Sequence, residues 1–211
     1  MQYIFLHGLG QTAESWEQML QTIHTKEPLA CPSLSDWLHG ELASYDILYQ
    51  NFENYCDSIT GPVGLCGLSL GGVLALQYGI EHPEKVHSLT LIGTQYRMPK
   101  RLLKAQNLIF RLMPDKAFSG MGIGKQGFIR LSHSMLELDF QNRLSQLACP
   151  VLIICGEKDR ANKPASFQLK EQIHGAELVV LPHSGHEANL DAPENLALIL
   201  SAFFRKHDPG F

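Results

Sequence analysis

The stretch Gly64-Leu65-Cys66-Gly67-Leu68-Ser69-Leu70-Gly71-Gly72 decides how the rest of the chain is interpreted. It contains the pattern Gly-x-Ser-x-Gly with Ser69 at its centre. The apolar residues 63–66 before it predict a strand, and residues 72–78 after it predict a helix. A strand, a sharp turn and a helix are the setting in which such a serine projects from a strained turn with its hydroxyl exposed.

The glycines on either side of Ser69 have a steric explanation. A side chain at Gly67 or Gly71 is expected to collide with the neighbouring strand or helix, because the backbone passes close on both sides of the turn. The serine also stands near the start of a helix, where free N–H groups favour developing negative charge. Taken alone, the stretch fits an ordinary turn serine equally well.

Composition limits the classes of protein to consider. At 211 residues the chain fits one domain with a substantial core, and its 45% apolar and 18% charged residues are ordinary globular values. A net charge of -4, without interleaved aromatic and basic residues, argues against binding to nucleic acid. No apolar run approaches the ~18 residues of a membrane span, and residues 1–6 lack the basic region of a signal peptide, so neither is expected.

The cysteines point to a reducing environment. There are five of them, an odd number, and none has metal-ligand spacing. Cys66, Cys149 and Cys155 lie in or beside apolar, strand-like segments. We therefore expect buried free thiols and a cytoplasmic location.

Apolar strand-like segments alternate with helical ones along most of the chain. The sequence predicts six strands, near residues 3–6, 28–31, 63–66, 86–92, 151–155 and 178–181. The predicted helices outside the middle of the chain lie near residues 14–24, 44–59, 72–82, 164–173 and 192–206. This alternation is typical of a parallel sheet covered by helices on both faces, with ligands bound beyond the carboxyl ends of the strands.

Residues 94–147 interrupt the alternation. The sequence predicts an amphipathic helix over residues 99–113, a loose glycine-rich segment over 119–127 and a second helix over 128–147. On the first helix one side is expected to carry Leu102, Leu103, Ile109, Phe110 and Met113, and the methionines Met98, Met113, Met121 and Met135 are expected to line apolar surface. We interpret residues 94–147 as a helical cap inserted into a core of residues 1–93 and 148–211; two ordinary surface helices are the alternative.

Four chemically capable side chains follow predicted strand ends: His7, Ser69, Asp159 and His186. A serine needs a base to become nucleophilic at neutral pH, and a histidine base needs a carboxylate to orient it. Glu157 and His183 are rivals for the acid and the base. The remaining histidines, including His24, His39 and His133, are expected to be surface or packing residues.

The turn His7-Gly8-Leu9-Gly10 presents backbone N–H groups at the end of the first strand. Such donors are what an oxyanion hole requires, so the backbone of Leu9 is a candidate for that role. For the side chain of His7 we favour a structural role, in which it fixes the loop by hydrogen bonding.

Taken together, these motifs resemble the α/β-hydrolase family. The resemblance rests on four segments: His7-Gly8-Leu9-Gly10 with Trp16, Gly67-Leu68-Ser69-Leu70-Gly71-Gly72, Gly156-Glu157-Lys158-Asp159 with Pro164, and Ser184-Gly185-His186 with Asp191 and Pro193. It implies a three-layer fold, a catalytic triad of Ser69, Asp159 and His186 in the family's order, and an oxyanion hole from the N–H groups of Leu9 and Leu70. The resemblance also favours Asp159 over Glu157 as the acid, and His186 over His183 as the base.

The chain departs from the family pattern in two places. Two antiparallel strands usually precede the oxyanion loop, but only six residues precede His7, so we expect a minimal, all-parallel sheet of six strands. Its bare edge is a candidate contact for a homodimer. A family loop often written Asp-x-Pro-Gly-x-Gly is replaced by residues 32–36, Pro-Ser-Leu-Ser-Asp, so the acyl pocket near it is expected to be unusual.

The function implied by the resemblance is a serine hydrolase that cleaves a small carboxylic ester or thioester through an acyl-enzyme. The expected partner is a small-molecule acyl substrate, with no metal or organic cofactor. Two alternatives remain open. One is another reaction on the same triad, such as C–C bond hydrolysis, lactone opening or elimination, and the other is a binding protein of this fold without turnover.

Charge is distributed unevenly along the chain. Residues 97–130 contain one acid, Asp115, and eight basic residues: Arg97, Lys100, Arg101, Lys104, Arg111, Lys116, Lys125 and Arg130. The plain explanation is a solvated helix face. The alternative is a cap that steers an anionic substrate toward Ser69, an effect that salt would weaken.

Overall fold

A computed structural model describes residues 1–38, 43–120 and 122–211. The expectations for His39 and Met121 lie outside the described residues. The described strands are β1 (Gln2–Leu6), β2 (Leu29–Ala30), β3 (Val63–Leu68), β4 (Val86–Ile92), β5 (Val151–Gly156) and β6 (Glu177–Leu181). They form one sheet in the order β2-β1-β3-β4-β5-β6. Every pairing in it is parallel, which confirms the predicted six-stranded sheet.

Helices cover both faces of the sheet. The described α-helices are α1 (Glu17–Thr22), α2 (Tyr45–Asp57), α3 (Leu70–Glu81), α4 (Lys100–Leu112), α5 (Gly124–Ser134), α6 (Lys163–Gln172), α7 (Ala188–Asp191) and α8 (Pro193–His207). Because side chains alternate along a strand, Ile4 and Leu6 of β1 enter the core shared with α2, α3 and α6, whereas Tyr3 and Phe5 enter the core shared with α1 and α8. The result is the predicted three-layer arrangement.

Several predicted boundaries were wrong at their ends. Residues 14–24 form a short 3₁₀ turn, Ala13–Trp16, followed by α1. The closing helix begins at Pro193 and is preceded by the separate α7, since proline is favoured at a first helical turn but cannot donate the hydrogen bond of a helix interior.

All five cysteines are free, but Cys149 is only half-buried, contrary to the expectation for it.

The predicted layout of residues 94–147 needs larger corrections. The helix α5 starts at Gly124, inside the segment expected to be loose, and ends at Ser134. Residues 135–147 contain only a 3₁₀ turn, Gln141–Gln146, and an isolated bridge between Arg97 and Asp139. Burial of Phe128, Ile129 and Leu131 accounts for α5, because it outweighs a helix penalty of about 1 kcal/mol for each glycine.

The apolar residues that the sequence predicted for one side of α4 are not all buried. Leu103 is half-buried against the core, and the ring of Phe110 packs against Phe118 and Phe128. Leu102 and Ile109 instead face solvent, with 49% and 57% of their surface exposed.

Within the described ranges, no helix is both long and apolar enough to cross a bilayer.

Candidate active site

Ser69 stands at the carboxyl end of β3, immediately before α3. Its backbone has φ 53° and ψ -110°, a conformation that residues other than glycine rarely adopt. Two hydrogen bonds hold this turn: Ser69 N donates to Ile92 O at 2.9 Å, and Val73 N donates to Ser69 O at 3.0 Å. The neighbouring strand and the first turn of the helix therefore fix the direction of the serine.

The glycines beside Ser69 are explained by close backbone approach. A Cβ atom at Gly67 would lie 2.2 Å from Gly71 O in the helix, and one at Gly71 would lie 2.2 Å from Leu6 O in β1. Both distances are far below van der Waals contact. The predicted collision with helix and strand is confirmed.

Asp159 and His186 meet beyond the ends of β5 and β6. Asp159 Oδ2 lies 2.8 Å from His186 Nδ1. The Asp159 residue is 5% exposed, while 38% of the His186 side chain is accessible. Because an ionised carboxylate only accepts, Nδ1 carries the proton, and the lone pair of Nε2 is left available.

The environment of Asp159 favours its charged form. Burial alone raises the pKa of this carboxyl, but the hydrogen bonds from His186 and Asn162 outweigh it and hold the pKa below its ordinary value. Asp159 is therefore an ionised partner for the imidazole at neutral pH.

Gly93, at the end of β4, makes room for the Asp159–His186 pair. A Cβ atom there would lie 3.0 Å from His186 Nδ1 and 3.2 Å from Asp159 Oδ2. Its φ of 54° is also in the left-handed region that favours glycine. No pattern in the sequence around residue 93 indicated this role.

Asn162 is a second residue that the sequence analysis missed. Its Nδ2 lies 2.9 Å from both carboxylate oxygens of Asp159, and its backbone N donates to Asp159 Oδ1 at 3.2 Å. Its Oδ1 accepts from Gln95 Nε2 at 2.9 Å. The available signal was an Asp followed three residues later by the residue that caps α6, a common local arrangement of side chain and backbone.

The rival residues lie elsewhere. Glu157 is exposed and accepts a hydrogen bond from the backbone N of His183 at 3.0 Å. The His183 side chain is 91% exposed, and its ring nitrogen is 4.0 Å from Glu157. Ser69, Asp159 and His186 line one cavity, and neither Glu157 nor His183 is among its described lining residues.

The loop after β1 is fixed by its histidine, as the sequence suggested. His7 is 4% exposed; its Nδ1 contacts Gly8 O at 2.9 Å, and its Nε2 accepts from Leu34 N at 3.0 Å. Both ring nitrogens are thus occupied in a neutral imidazole, and burial lowers the pKa of His7.

Two backbone N–H groups near Ser69 have no hydrogen-bond acceptor among the described residues. Leu70 is the first residue of α3, where the N–H has no acceptor within the helix. Leu9 N donates no hydrogen bond among the described residues either. Both residues line the cavity that Ser69 lines.

A partly buried amide network joins the loop of Leu9 to the loop of His186. Gln11 Oε1 accepts from Gly8 N at 3.3 Å, and Asn189 Nδ2 donates to Gln11 Oε1 at 3.2 Å and to Ser15 O at 3.1 Å. Asn189 is fully buried. The network fixes the two loops relative to each other, and no local pattern in the sequence revealed it.

The cavity measures about 320 Å³, a size suited to a small ligand. Its described lining is mostly apolar and includes no Lys or Arg; the apolar members are Leu9, Leu70, Val73, Met98, Pro99, Leu102, Leu103 and Met135. Gln95, Gln106, Ser132 and Asn162 add neutral polar groups. The helix α4 and the residues just before it form one wall.

One cluster of metal-ligand types occurs in the described part of the chain, formed by Glu53, Glu81 and His82. Its groups already have partners: His82 Nε2 lies 2.8 Å from Glu53 Oε1, and Arg143 donates to Glu81 at 3.1 Å. It lies on α2 and the end of α3, outside the lining of the Ser69 cavity. The arrangement has the character of a surface ion-pair cluster.

Comparisons with known proteins agree with this architecture. Over 94% of its length the chain is 23% identical to the pimeloyl-[acyl-carrier protein] methyl ester esterase of Neisseria meningitidis, of which it covers 90%. It is 28% identical to the putative carbamate hydrolase RutD of Klebsiella pneumoniae, over 64% of this chain and 63% of that one.

A solved structure, the enol-lactonase of Burkholderia xenovorans, superposes with a TM-score of 0.84 at 15% identity, covering 96% of this chain and 90% of that one. That likeness concerns the fold. The model of the alpha/beta hydrolase family matches residues 3–197, which is nearly the whole chain. The chain therefore belongs to the alpha/beta hydrolase family of enzymes.

Proposed function

We propose that this protein is a serine hydrolase that cleaves a small carboxylic ester or thioester through an acyl-enzyme. The observation that carries the proposal is the 2.8 Å contact between Asp159 and His186 in the cavity that also contains the strained Ser69 turn. Ser69 is the nucleophile, His186 the general base and acid, and Asp159 the group that orients His186.

In the first half of the reaction, Ser69 Oγ attacks the carbonyl carbon while His186 Nε2 takes the hydroxyl proton. The tetrahedral intermediate collapses, and the same proton leaves with the alcohol or thiol. Water then attacks the acyl-enzyme with His186 again as base, which releases the acid and restores Ser69. No hydrogen bond joins Ser69 to His186 in the described contacts; bonds of this kind often tighten only when substrate is bound.

We assign the role of donating hydrogen bonds to the oxyanion to the backbone N–H groups of Leu9 and Leu70. Neither N–H has another acceptor in the part of the chain that the structure describes, which supports this role, since a donor already engaged would have to break a bond before it could act. Each such donor contributes roughly 3 kcal/mol to stabilising the transition state. The Gln11–Asn189 network supports the loop that positions Leu9.

The cavity favours a substrate with an apolar part. Its wall of leucine and methionine side chains suits an aliphatic acyl or alcohol group, and esterases are among the relatives. Residues 94–147 contribute Met98, Leu102, Leu103 and Met135 to that wall, which supports the proposal that this segment is a cap over the core formed by residues 1–93 and 148–211.

Two further assignments are proposals of the same kind. The five free thiols support the proposal that the protein is located in a reducing compartment such as the cytoplasm. The short strand β2 leaves one edge of the sheet without a further strand among the described residues, which supports that edge as a homodimer contact.

The test is Ser69→Ala, with Ser119→Ala as a matched control, because Ser119 is an exposed serine outside the cavity lining. We expect wild type and the control to show a burst and steady release of p-nitrophenol from short esters, and Ser69→Ala to show neither. A fluorophosphonate should label wild type and Ser119→Ala covalently, seen as an increase in protein mass, but not Ser69→Ala. A folded Ser69→Ala protein with near-normal turnover would remove Ser69 from the mechanism, whereas a wild type without turnover or labelling would favour a binding protein.

A further inference from the structure

The outward face of α4 carries an unusual amount of exposed apolar surface. Seven large apolar residues of the described chain are exposed, and four are on this helix: Leu102 (49%), Leu108 (59%), Ile109 (57%) and Leu112 (81%). With Ala105, they recur at spacings of three and four residues, so they form one continuous stripe. Single exposed leucines are ordinary, but a contiguous stripe marks a surface that contacts something.

A row of positive charge runs beside this stripe. Lys100, Lys104 and Arg111 recur at spacings of four and seven, and all three are exposed. Lys100 pairs with Glu137, whereas Lys104 and Arg111 have no ion-pair partner within the described ranges. An apolar stripe bordered by lysine and arginine is the pattern of a helix that lies in the plane of a membrane surface.

The stripe is continuous with the mouth of the cavity. Leu102 is half exposed and also belongs to the cavity wall, and Leu103 and Gln106 follow it there. The described lining contains no Lys or Arg, so an anionic group is not matched inside the cavity. The positive charge lies outside the cavity, beside the exposed apolar stripe.

The chemistry of the face favours a lipid surface over two other occupants. A second copy related by a two-fold axis would bring the basic row of α4 against itself, which is repulsive. An acidic protein would match the charge but must also offer a groove shaped for a convex row of leucines. A membrane accepts such a row without shape complementarity, because the side chains enter the boundary between headgroups and acyl chains.

We propose that the outward face of α4 binds an anionic phospholipid surface, so that an ester substrate enters the cavity past Leu102 from the lipid side. This inference rests on the proposed hydrolase function for the identity of the substrate, but the binding itself does not depend on turnover. Lys104 and Arg111 contact the lipid phosphates, and Leu108, Ile109 and Leu112 enter the interface.

The experiment is vesicle flotation with the Ser69→Ala protein, so that hydrolysis plays no part. Vesicles of phosphatidylglycerol and phosphatidylcholine are compared with vesicles of phosphatidylcholine alone, at low and at raised salt. Two α4 variants are added, Leu108→Ser/Leu112→Ser and Lys104→Gln/Arg111→Gln. The matched control is Leu198→Ser/Arg205→Gln, which changes an exposed leucine and an exposed arginine on α8.

We expect binding to the anionic vesicles that weakens as salt rises, since charges near a surface are screened within ~8 Å at physiological ionic strength. Each α4 variant should reduce the partition coefficient about tenfold or more, and the α8 control should change it less than about twofold. Little binding to phosphatidylcholine alone is expected.

Three results would overturn the proposal: no flotation with anionic vesicles, equal flotation with both kinds of vesicle, or an α8 variant as impaired as the α4 variants. A dimer that light scattering detects and that Leu108→Ser/Leu112→Ser abolishes, without flotation, would assign the face to a second copy. Binding of an acidic carrier protein in place of vesicles would assign it to a protein partner. Because Ser69→Ala is used throughout, each of these results leaves the hydrolase proposal to its own test.

Discussion

The loops after β5 and β6 carry two carboxylate–imidazole pairs of the same chemistry, Asp159 with His186 and Glu157 with His183. In the first pair the nitrogen and oxygen are 2.8 Å apart, and only 4% of the Asp159 side chain is accessible. In the second pair they are 4.0 Å apart, and the Glu157 and His183 side chains are 52% and 91% accessible. Along the chain, Glu157 precedes Asp159 by two residues and His183 precedes His186 by three.

The difference shows that residue type does not make a candidate site. Asp159 is held by three groups, the His186 ring and the side chain and backbone of Asn162, while Glu157 points to solvent and accepts one backbone bond. An exposed pair is weakened by water and salt, whereas a buried carboxylate holds its imidazole in one orientation. We expect the two pairs to respond very differently to the same substitutions.

The largest expected effect separates the two histidines. His186→Ala should lower kcat/KM on a p-nitrophenyl ester on the order of 10⁴-fold or more, because unassisted serine is a poor nucleophile. His183→Ala should leave kcat/KM within about twofold, since its ring faces solvent. Steady-state kinetics on both folded proteins tests this, and a severe loss in His183→Ala would reverse the assignment of the base.

The two carboxylates should differ nearly as much. Asp159→Asn should lower kcat on the order of 10⁴-fold, since the amide can hold the imidazole in the wrong tautomer. Glu157→Gln, the matched change in the same loop, should be near wild type. If the two variants lose activity equally, burial of the carboxylate does not distinguish Asp159 from Glu157 in function.

A smaller effect is expected at Asn162, which we regard as a positioning residue. Asn162→Ala removes the side-chain donor to both oxygens of Asp159. Hydrogen bonds to charged groups contribute about 1.5–3 kcal/mol, so kcat should fall about tenfold to hundredfold while KM changes little. Asn142→Ala, at an exposed asparagine outside the cavity, is the control. A change confined to KM or to thermal stability would remove Asn162 from the positioning of Asp159.

The smallest expected effect concerns stability in acid. The pKa of Asp159 is lowered in the folded state, so its contribution to the free energy of unfolding is complete above the unfolded value of about 3.9 and is lost as pH falls through the folded pKa. Urea unfolding at about pH 6 and about pH 3 should therefore show a smaller loss of stability for Asp159→Asn than for wild type. An equal loss in both proteins would show that Asp159 is not a stabilising anion.

The parts that were predicted well share a physical origin. A six-residue apolar strand, a glycine that must tolerate close backbone, and a proline at a helix start are constraints that act over a few residues. The strands and the position of Ser69 at a strand end could therefore be predicted from local sequence. The second helix of residues 94–147 was predicted less well, because the ends of α5 depend on which apolar side chains find a partner.

The sequence by itself determined the parallel α/β sheet and the strand ends at which Ser69, Asp159 and His186 stand, because alternation, glycine spacing and strand-terminal turns are written locally. Only the tertiary structure decided that Asp159 and not Glu157 is buried against an imidazole, that Gln95 holds Asn162, and that Leu102 and Ile109 face outward. Those outcomes depend on contacts between residues far apart in the chain, where burial and the exclusion of water set the strength of each interaction.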